Sequence, residues 1–288
     1  GRGNQIVAIR GDDAHPVSLG KLCPKGLAEH QPLTAPNRAL YPVLEGKRID
    51  WPAALRTMVE RIRAVKPEEL AVISTGQLPT EEFYAQGKLV RLGFGTPNYD
   101  SNTTLCMASA VAGYKKSFGT DGPPGLYEDF RLADVVLLIG ANIADNHPIL
   151  VQHLDANTKK ILIAVDPRVT KTTMLADLHL PLKPRTDLAL LNAIGHVLIR
   201  DGLIDAGYIA RHTNGYADLA EHLAAWTPER ASAITGLPAA QIEHVARLYG
   251  EAKSAMIAWT MGVNHSTQGT ATVNAINNLA LLTGKLGK

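Results

Sequence analysis

Hydrophobic and polar positions follow two different periods along this chain, and the change of period predicts where strands and helices lie. Short runs rich in Val, Ile and Leu and bounded by turn residues are typical of strands covered on both faces of a parallel sheet. Such runs occupy residues 70–74, 134–139, 160–165 and 255–259. Between them, apolar residues recur three and four positions apart, which indicates helices. These helices cover residues 51–65, 80–92, 105–118, 143–154, 186–200 and 269–283, and the region 205–250 is mostly helical.

Strands that alternate with helices predict an α/β fold class, with doubly wound, mostly parallel sheets and helices on both faces. Residues 1–50 differ, because Gly and Pro are frequent there and the pattern favours short strands and turns, including an alternating strand at 5–12. We therefore divide the chain into an N-terminal segment (1–50), an α/β domain (51–135) and a Rossmann-like domain (136–288). The chain opens without Met or a leader and closes without a settled element, and we expect both ends to be cut.

Composition and charge narrow the function only a little. The chain of 288 residues is 45% hydrophobic and 19% charged, which is typical of a globular protein. Its net charge of +2 is too small to indicate a nucleic-acid partner. No apolar run reaches the roughly 18 residues of a membrane helix, so we expect no membrane insertion. Two cysteines, Cys23 and Cys106, suit a reducing compartment, and we expect a cytoplasmic protein, although a disulfide between them stays possible.

The loops after three predicted strands are the candidate ligand site. In a doubly wound sheet, ligands bind beyond the carboxyl ends of the strands, which selects the loops after Ile139, Val165 and Trp259. Gly140 allows close backbone approach, and the helix that follows offers N–H groups to a phosphate. The alternative is a plain turn in which Asn142 caps the helix. The GxGxxG fingerprint of nicotinamide-cofactor sites is absent.

The second candidate loop contains Asp166, Pro167 and Arg168. A carboxylate at a strand end can accept hydrogen bonds from ribose hydroxyls or base N–H groups, and arginine can pair with phosphate. On these residues alone we favour the alternative, a turn with an Asp cap and a surface arginine. Further along, Thr186 and Asp187 begin a predicted helix. Asp187 either caps that helix or holds the amino and ring N–H groups of a purine.

The third loop, after Trp259, contains Met261, Gly262 and Asn264 and is small and polar enough to line a ligand cleft. The same loop carries His265, for which a hydrogen bond to the backbone is the alternative.

The two cysteines admit both a chemical and a plain interpretation. Cys106 begins the helix predicted at 105–118, with residues 102–104 as candidate caps. A helix N-terminus favours a thiolate, and a bound metal deprotonates a coordinating thiol. The alternative is a buried, inert cysteine. Cys23, taken alone, is a free thiol in a turn, because an iron–sulfur cluster usually needs four ligands.

The order and spacing of these motifs resemble the dimethyl-sulfoxide-reductase family of molybdopterin enzymes. The segment from Gly11 to Gly26, with Cys23-Pro24-Lys25-Gly26, is similar to the end of that family's iron–sulfur domain. The resemblance implies that Cys23 binds a 4Fe-4S cluster and that Lys25 lies between cluster and pterin. The remaining cluster cysteines are expected before Gly1, and residues 1–50 are then a remnant of the cluster domain.

The three loops resemble those that hold one molybdopterin guanine dinucleotide in the same family. The implied centre is molybdenum bis(molybdopterin guanine dinucleotide), and residues 136–288 are then a dinucleotide-binding domain truncated at its C-terminus. The residues that the resemblance assigns to the cofactor are Gly140, Asn142, His147, Asp166, Pro167, Arg168, Thr186, Asp187, Met261, Gly262 and Asn264.

Residues 75–125 look like those of assimilatory nitrate reductase catalytic subunits. The residues that carry this likeness are Thr75-Gly76-Gln77 and the stretches 81–84, 105–114 and 118–125. The resemblance implies that Cys106 ligates molybdenum in the domain at 51–135. It also implies reduction of nitrate to nitrite by oxygen-atom transfer, with electrons passing through the cluster from an electron-donor protein or flavoprotein subunit. A formate dehydrogenase of the same family is the alternative, and a non-catalytic α/β binding subunit is the second.

Overall fold

A computed structural model describes residues 6–288 as two compact units, one ending at Cys106 and the other comprising Met107–Lys288. The division into three segments predicted from the sequence, at 1–50, 51–135 and 136–288, stays a prediction. None of the helices described for residues 6–288 combines the length and the apolar composition that crossing a lipid bilayer requires.

The first unit contains short elements followed by a small parallel sheet. In chain order they are α1 (Pro24–Ala28), a 3-10 turn (Gln31–Thr34), β1 (Val43–Leu44), β2 (Lys47–Arg48), α2 (Trp51–Arg63), a second 3-10 turn (Pro67–Glu69), β3 (Val72–Ser74), α3 (Thr80–Lys88), a π turn (Leu89–Gly93) and β4 (Tyr99–Ser101). The strands β1 and β2 form a hairpin, and β3 pairs with β4 in parallel. The helix α4 (Asn102–Phe118) begins in this unit and continues into the second.

The strand predicted at residues 5–12 is not formed over residues 6–12, which are irregular; residue 5 lies outside the described residues. Ile6 and Val7 are both more than half exposed. Alternation of apolar and polar residues produces a strand only where a neighbouring strand supplies hydrogen bonds. Within residues 6–288 no strand pairs with this segment, so the prediction was wrong.

The second unit is a four-stranded sheet with helices around it. After α4 its elements are α5 (Asp129–Leu132), β5 (Val135–Ile139), α6 (Ile143–Asn146), α7 (Pro148–Asp155), β6 (Ile161–Val165), a 3-10 turn (Thr173–Leu175), β7 (Leu178–Leu180), α8 (Asp187–Arg200), α9 (Ala206–His212), α10 (Tyr216–Ala224), α11 (Pro228–Thr235), α12 (Ala239–Glu251), β8 (Ala255–Trp259), α13 (Met261–Asn264) and α14 (Gly269–Leu282). The strand order is β7-β6-β5-β8, and every pair is parallel. The predicted parallel sheet is therefore confirmed.

The core of the second unit has two halves, one on each face of this sheet. Val135, Leu137 and Ile139 point to one face and pack with residues of α8, α12 and α14. Val136 and Leu138 point to the other face and pack with residues of α5 and α7. All five residues of β5 are buried, as a strand covered on both sides requires. Full burial of such a side chain stabilises the fold by about 1.5–3 kcal/mol.

The helix predicted at 143–154 is two helices, α6 and α7, which meet at His147. The backbone of His147 has φ −134° and ψ 57°, outside the helical region. Pro148 causes the break, because a proline disfavours helical geometry in the residue before it and has no N–H to donate. Pro148 then fits the first position of α7, where an N–H would have no partner within the helix.

Candidate functional site

The loops after β5 and β8 touch each other through two glycines at the carboxyl edge of the sheet. The N–H of Gly262 donates a 3.2 Å hydrogen bond to the carbonyl of Gly140. A Cβ built on Gly140 would lie 2.8 Å from the Cα of Gly262, and one built on Gly262 would lie 2.6 Å from the Cα of Gly140. Side chains at either position would collide with backbone, so this contact requires glycine twice.

Gly140 also joins the end of β5 to the neighbouring strands on either side. Its N–H donates to the carbonyl of Val165 at 2.9 Å, and its carbonyl accepts a 2.7 Å hydrogen bond from the hydroxyl of Thr260. Its φ of +55° is a conformation that glycine adopts readily. Hydrogen bonds therefore join the ends of β6, β5 and β8 along one edge, which is where ligands of doubly wound sheets bind.

The side chain of Asn142 is bonded within the protein. Its Nδ2 donates to Asp145 at 2.8 Å, and its Oδ1 accepts from the hydroxyl of Thr172 at 2.9 Å. The hydroxyl of Thr172 also accepts from the N–H of Ala144 at 3.0 Å, and Lys171 forms an ion pair of 2.6 Å with Asp145. This network raises the acidity of Asp145: its pKa is lowered, first by the hydrogen bond from Lys171 and then by that from Asn142.

One of the N–H groups predicted to face a phosphate after Gly140 is already bonded within the protein. The helix α6 has only four residues, and the N–H of Ala144 in its first turn already donates to Thr172. Asn142 does not cap this helix through its side chain either. Its amide instead fixes the loop after β5 to the loop after β6.

Asp166 and Arg168 form a turn with one exposed cation. The Oδ1 of Asp166 accepts a 2.8 Å hydrogen bond from the N–H of Arg168, which is the turn that the plain interpretation predicted. The Nε of Arg168 lies 3.9 Å from the same carboxylate, while 74% of the arginine side chain is exposed. Pro167 between them is exposed as well. The guanidinium is therefore accessible to an anion at the sheet edge.

Asp187 is the first residue of α8, and the N-cap position belongs to Thr186. The hydroxyl of Thr186 donates to the carbonyl of Lys183 at 2.6 Å and forms no side-chain cap. Burial raises the pKa of Asp187, and the negative charge of Asp166 raises it further. The ion pairs of the described residues do not include Asp187. Asp187 is thus not the N-cap residue, but its carboxyl accepts its own backbone N–H in the first turn of α8. A carboxylate has room for further N–H donors.

The remaining second-unit candidates occupy different surroundings. Met261 is 41% exposed at the start of α13. Asn264 is buried, and its Nδ2 lies 3.8 Å from the Sδ of Met107. The main-chain N–H of His265 donates to the carbonyl of Met261 at the end of α13, and the side-chain role considered for this histidine stays a prediction. His147 is exposed and lines a cavity that also contains residues of α4 and β8.

Cys106 is the fifth residue of α4 and lies beyond its first turn. The helix begins at Asn102, so the predicted caps at 102–104 are helical residues. The hydroxyl of Ser101 accepts the N–H of Thr103 at 3.2 Å instead. Free N–H groups occur only in the first turn of a helix. The helix end therefore stabilises a thiolate at Cys106 less than expected. Cys106 is half-buried and is not joined to Cys23 by a disulfide.

The start of α4 lies directly after the β3–β4 pair. Asp100 accepts hydrogen bonds from the N–H of Ser101 at 2.8 Å and the hydroxyl of Thr104 at 2.6 Å, and the hydroxyl is the main cause of its lowered pKa. The amide oxygen of Asn102 accepts the N–H of Gly76 at 2.7 Å, which holds the loop after β3 beside the helix. Cys106 therefore follows the carboxyl edge of a parallel strand pair.

Cys23 and Lys25 belong to α1. The Sγ of Cys23 accepts the N–H of Gly26 at 3.4 Å and caps this short helix, in which Lys25 is the second residue and is exposed. In residues 6–288 no three His, Cys, Asp or Glu side chains come together as metal ligands. The chain has two cysteines in all, so it supplies fewer thiolates than the four that a 4Fe-4S cluster usually requires.

Sequence reasoning missed three side chains that hold loops together, two in the second unit and one in the first. Thr260 and Thr172 each join one loop of the sheet edge to another, and Asn102 holds the loop containing Gly76. Neither threonine has a local signal, because its partner is distant in sequence. Gly76 belongs to the motif Thr75-Gly76-Gln77, and its N–H bond to Asn102 shows how this glycine is held.

Comparison with known proteins identifies the family. The molybdopterin oxidoreductase family matches residues 41–288, and the molybdopterin oxidoreductase Fe4S4 domain matches residues 1–33. A nitrate reductase of Synechocystis is 40% identical over 97% of this chain and 41% of its own length. An assimilatory nitrate reductase of Haloferax mediterranei is 39% identical over 98% of this chain and 40% of its own length. This chain therefore spans about two fifths of these curated relatives.

Formate-oxidising relatives are similar too. The alpha subunit of an F420-dependent formate dehydrogenase of Methanocaldococcus jannaschii is 33% identical over 99% of this chain and 43% of its own length. Among solved structures, acetylene hydratase from Pelobacter acetylenicus has the same fold, with a TM-score of 0.81 at 24% identity; the match covers 95% of this chain and 39% of that one. The chain belongs to the molybdopterin oxidoreductase family, as its motifs predicted.

Proposed function

We propose that this chain is the cofactor-binding part of a molybdenum oxidoreductase that reduces nitrate to nitrite. The observation that carries the proposal is the contact of Gly140 with Gly262, which joins the loops after β5 and β8 at the carboxyl edge of a doubly wound sheet. The choice of nitrate is supported by the nitrate reductases of Synechocystis and Haloferax mediterranei, which are 40% and 39% identical.

The described residues fit a dinucleotide form of molybdopterin. The glycine pair lets the loops after β5 and β8 lie against each other at the sheet edge where a dinucleotide would bind. Arg168 presents an exposed guanidinium to a phosphate. The carboxyl of Asp187, whose pKa burial raises, can accept the amino and ring N–H groups of guanine. These contacts bind and orient, and the guanine dinucleotide remains part of the proposal.

Cys106 is the proposed protein ligand to molybdenum. A thiolate is a soft ligand and suits a redox-active metal. When bound, the molybdenum–pterin centre supplies two-electron oxygen-atom transfer to or from the substrate. The chain itself contributes the sulfur, held in α4 directly after the β3–β4 pair, and the loops that fix the dinucleotide.

Two residues of this chain are assigned to the proposed route of electrons through an iron–sulfur cluster. Cys23 is the one cluster thiolate proposed from this chain, and Lys25 is the cation proposed to lie near it. One thiolate cannot hold a 4Fe-4S cluster, so the proposal requires further ligands beside Cys23. An electron-donor protein or flavoprotein subunit, and a cytoplasmic location, stay predictions.

Formate oxidation is the second candidate reaction, supported by the 33% identity to a formate dehydrogenase subunit. Both reactions use the same family of centre, so the sheet edge does not distinguish them. A non-catalytic binding subunit is the remaining alternative. Such a subunit has no chemical need for Cys106 and Lys25, and both are present.

The test compares the two reactions in the complete enzyme. Nitrate with reduced viologen and formate with oxidised viologen are assayed side by side, together with molybdenum content. We expect stoichiometric molybdenum and nitrate reduction. Cys106→Ser should nearly abolish turnover while the fold is kept, whereas the control Ala112→Ser, at an exposed position of the same helix, should leave it unchanged.

Other outcomes decide against parts of the proposal. Turnover of formate without nitrate reduction selects the second reaction. Normal nitrate turnover in Cys106→Ser removes this cysteine from the metal. Absence of molybdenum from enzyme produced with the cofactor supplied favours the non-catalytic subunit.

A further inference from the structure

The second unit contains a cavity of about 480 Å³ that follows the whole length of β8. Every residue from Ala255 to Thr260 lines it, so the cavity runs beside the strand backbone. The rest of its wall is mostly apolar and aromatic and includes Tyr114, Phe118, Tyr127 and Leu286. Tyr114 stacks on Trp259 with ring centroids 5.8 Å apart, and burial raises the pKa of this tyrosine.

The strand β8 has one unpaired edge within the described residues. It pairs with β5 on one side, and no strand of residues 6–288 pairs with its other side. The burial of the two strands is consistent with this unpaired edge. All five residues of β5 are buried, whereas in β8 only Ala255 is buried. The cavity therefore faces a row of backbone N–H and C=O groups that need partners, and proteins normally cover such an edge.

The handedness of the existing connections shows where a strand after α14 would lie. The connection from β7 to β8 runs through α8 to α12 on the face that packs with Leu137 and Ile139. It crosses the sheet in the direction from β6 towards β8. The connection from β5 to β6 uses α7 on the opposite face and runs in the opposite direction. Both connections have the same hand, as parallel crossovers almost always do.

The helix α14 lies on the same face as α8 and α12, because Val273, Ile276 and Leu279 belong to the same half of the core. A crossover of the same hand through α14 therefore continues in the direction from β5 to β8. It places the following strand beside the free edge of β8, where the cavity is. Lys285 to Lys288, which come after α14, already line this cavity.

We propose that the free edge of β8 binds a fifth parallel strand, formed by the polypeptide that follows α14 in the complete protein. The relatives are longer than this chain, since the matched part is 41% of the Synechocystis protein. The strand would bring backbone hydrogen bonds to β8 and apolar side chains against Tyr114, Phe118 and Trp259. This inference is independent of which substrate the enzyme reduces.

The test is residue-resolved amide hydrogen exchange on the complete protein. In a parallel strand, successive N–H groups face alternate neighbours, so a covered edge protects every amide of 255–259 and an open edge protects every second one. We expect all amides of β8 to exchange about 1,000-fold more slowly than in an unstructured peptide. The strand β6, which is paired on both sides, is the matched internal control.

The occupant is identified in the same experiment. We expect slow exchange in a segment that follows residue 288, with protection of β8 that is unchanged by dilution and by removal of other proteins. Alternate amides of β8 exchanging as fast as a surface loop would show an open edge and overturn the proposal. Protection that disappears on dilution, or when a co-purifying protein is removed, would assign the edge to a second copy or another partner and also overturn it.

Discussion

The hydroxyl of Thr260 donates a 2.7 Å hydrogen bond to the backbone carbonyl of Gly140, which lies 120 positions earlier in the chain. The same carbonyl accepts the N–H of Gly262 at 3.2 Å. One backbone oxygen therefore holds together the loops after two adjacent strands, at the edge where we place the cofactor.

Thr260→Val should loosen this edge without unfolding the protein. The substitution removes one donor while Gly262 still satisfies the carbonyl of Gly140, so we expect a loss of about 1 kcal/mol in the free energy of unfolding. Thr260→Ser keeps the hydroxyl and is the matched control. Denaturant unfolding of the three proteins measures the difference, and equal stability of the valine and serine variants would mean that the bond contributes nothing.

Gly140→Ala should destabilise the protein through both strain and collision. Its φ of +55° is unfavourable for alanine by about 1–2 kcal/mol, and its Cβ would lie 2.8 Å from Gly262. Gly202→Ala separates the two causes, because Gly202 has φ +69° but open space around the added Cβ. We expect the alanine at 140 to cost about 1–3 kcal/mol more than the alanine at 202 in the free energy of unfolding. Equal costs would contradict the close contact.

Gly113→Ala tests the packing of α4 against α14 within the second unit. A Cβ at this position would lie 2.5 Å from Cγ1 of Val273. Alanine is normally favoured over glycine in a helix by about 1 kcal/mol, so a loss of stability here reports the collision. We expect Gly113→Ala to lower the melting temperature. The same substitution should cost less in a Val273→Ala background than in the wild type, because Val273→Ala removes the methyl group that collides. Additive effects in this double-mutant cycle would indicate no contact.

Asp187→Asn should stabilise the protein while weakening cofactor binding. The folded-state pKa of Asp187 is raised, first by burial and then by the charge of Asp166. Ionisation therefore costs more in the folded state, and stability present at low pH is lost as pH rises through the folded pKa. Without cofactor, the variant should have the larger free energy of unfolding at pH 7, and the difference should shrink below the ordinary pKa of 3.8.

Substitution of Asp187 should also lower the occupancy of the cofactor. In the complete enzyme, Asp187→Asn and Asp187→Ala should release less guanine per molybdenum than the wild type. Unchanged occupancy would count against guanine recognition by Asp187, whatever the stability shows.

Tyr249 should make the protein sensitive to alkaline pH. Burial raises the pKa of this phenol to about 12, against 10.0 in an ordinary tyrosine. A raised pKa means that its contribution is fully present below pH 10 and is lost as the pH rises towards 12, by up to about 1.4 kcal/mol per pH unit. The free energy of unfolding of Tyr249→Phe should therefore fall less steeply than that of the wild type above pH 10. Parallel curves would show that the phenol ionises in the folded state as easily as in water.

Local sequence pattern was enough for most secondary structure. The runs at 134–139, 160–165 and 255–259 became strands because continuous β-branched and aliphatic residues suit a sheet covered on both faces. The pattern failed at 5–12 and within 143–154. A strand needs a partner that local sequence does not contain, and Pro148 breaks the helix at His147.

The site was predicted in its position but not in its contacts. The loops after Ile139, Val165 and Trp259 do meet at one edge, as the rule for parallel sheets requires. Three local roles differ from expectation: Asn142 bonds to Thr172 and Asp145, Thr186 holds the N-cap position before Asp187, and Cys106 lies beyond the first turn of α4.

The sequence by itself determined the α/β fold class, the parallel strands and, through the order of its motifs, the molybdopterin oxidoreductase family. The fold class and the strands follow from periodicity, which is a property of neighbouring residues, and the family follows from the resemblance of the motifs to those of known proteins. Only the tertiary structure decided that Gly140 meets Gly262, that Thr260 bonds to Gly140 and that β8 keeps an unpaired edge. Those facts depend on residues about 120 positions apart, and such pairs become neighbours only when the sheet and its crossovers have formed.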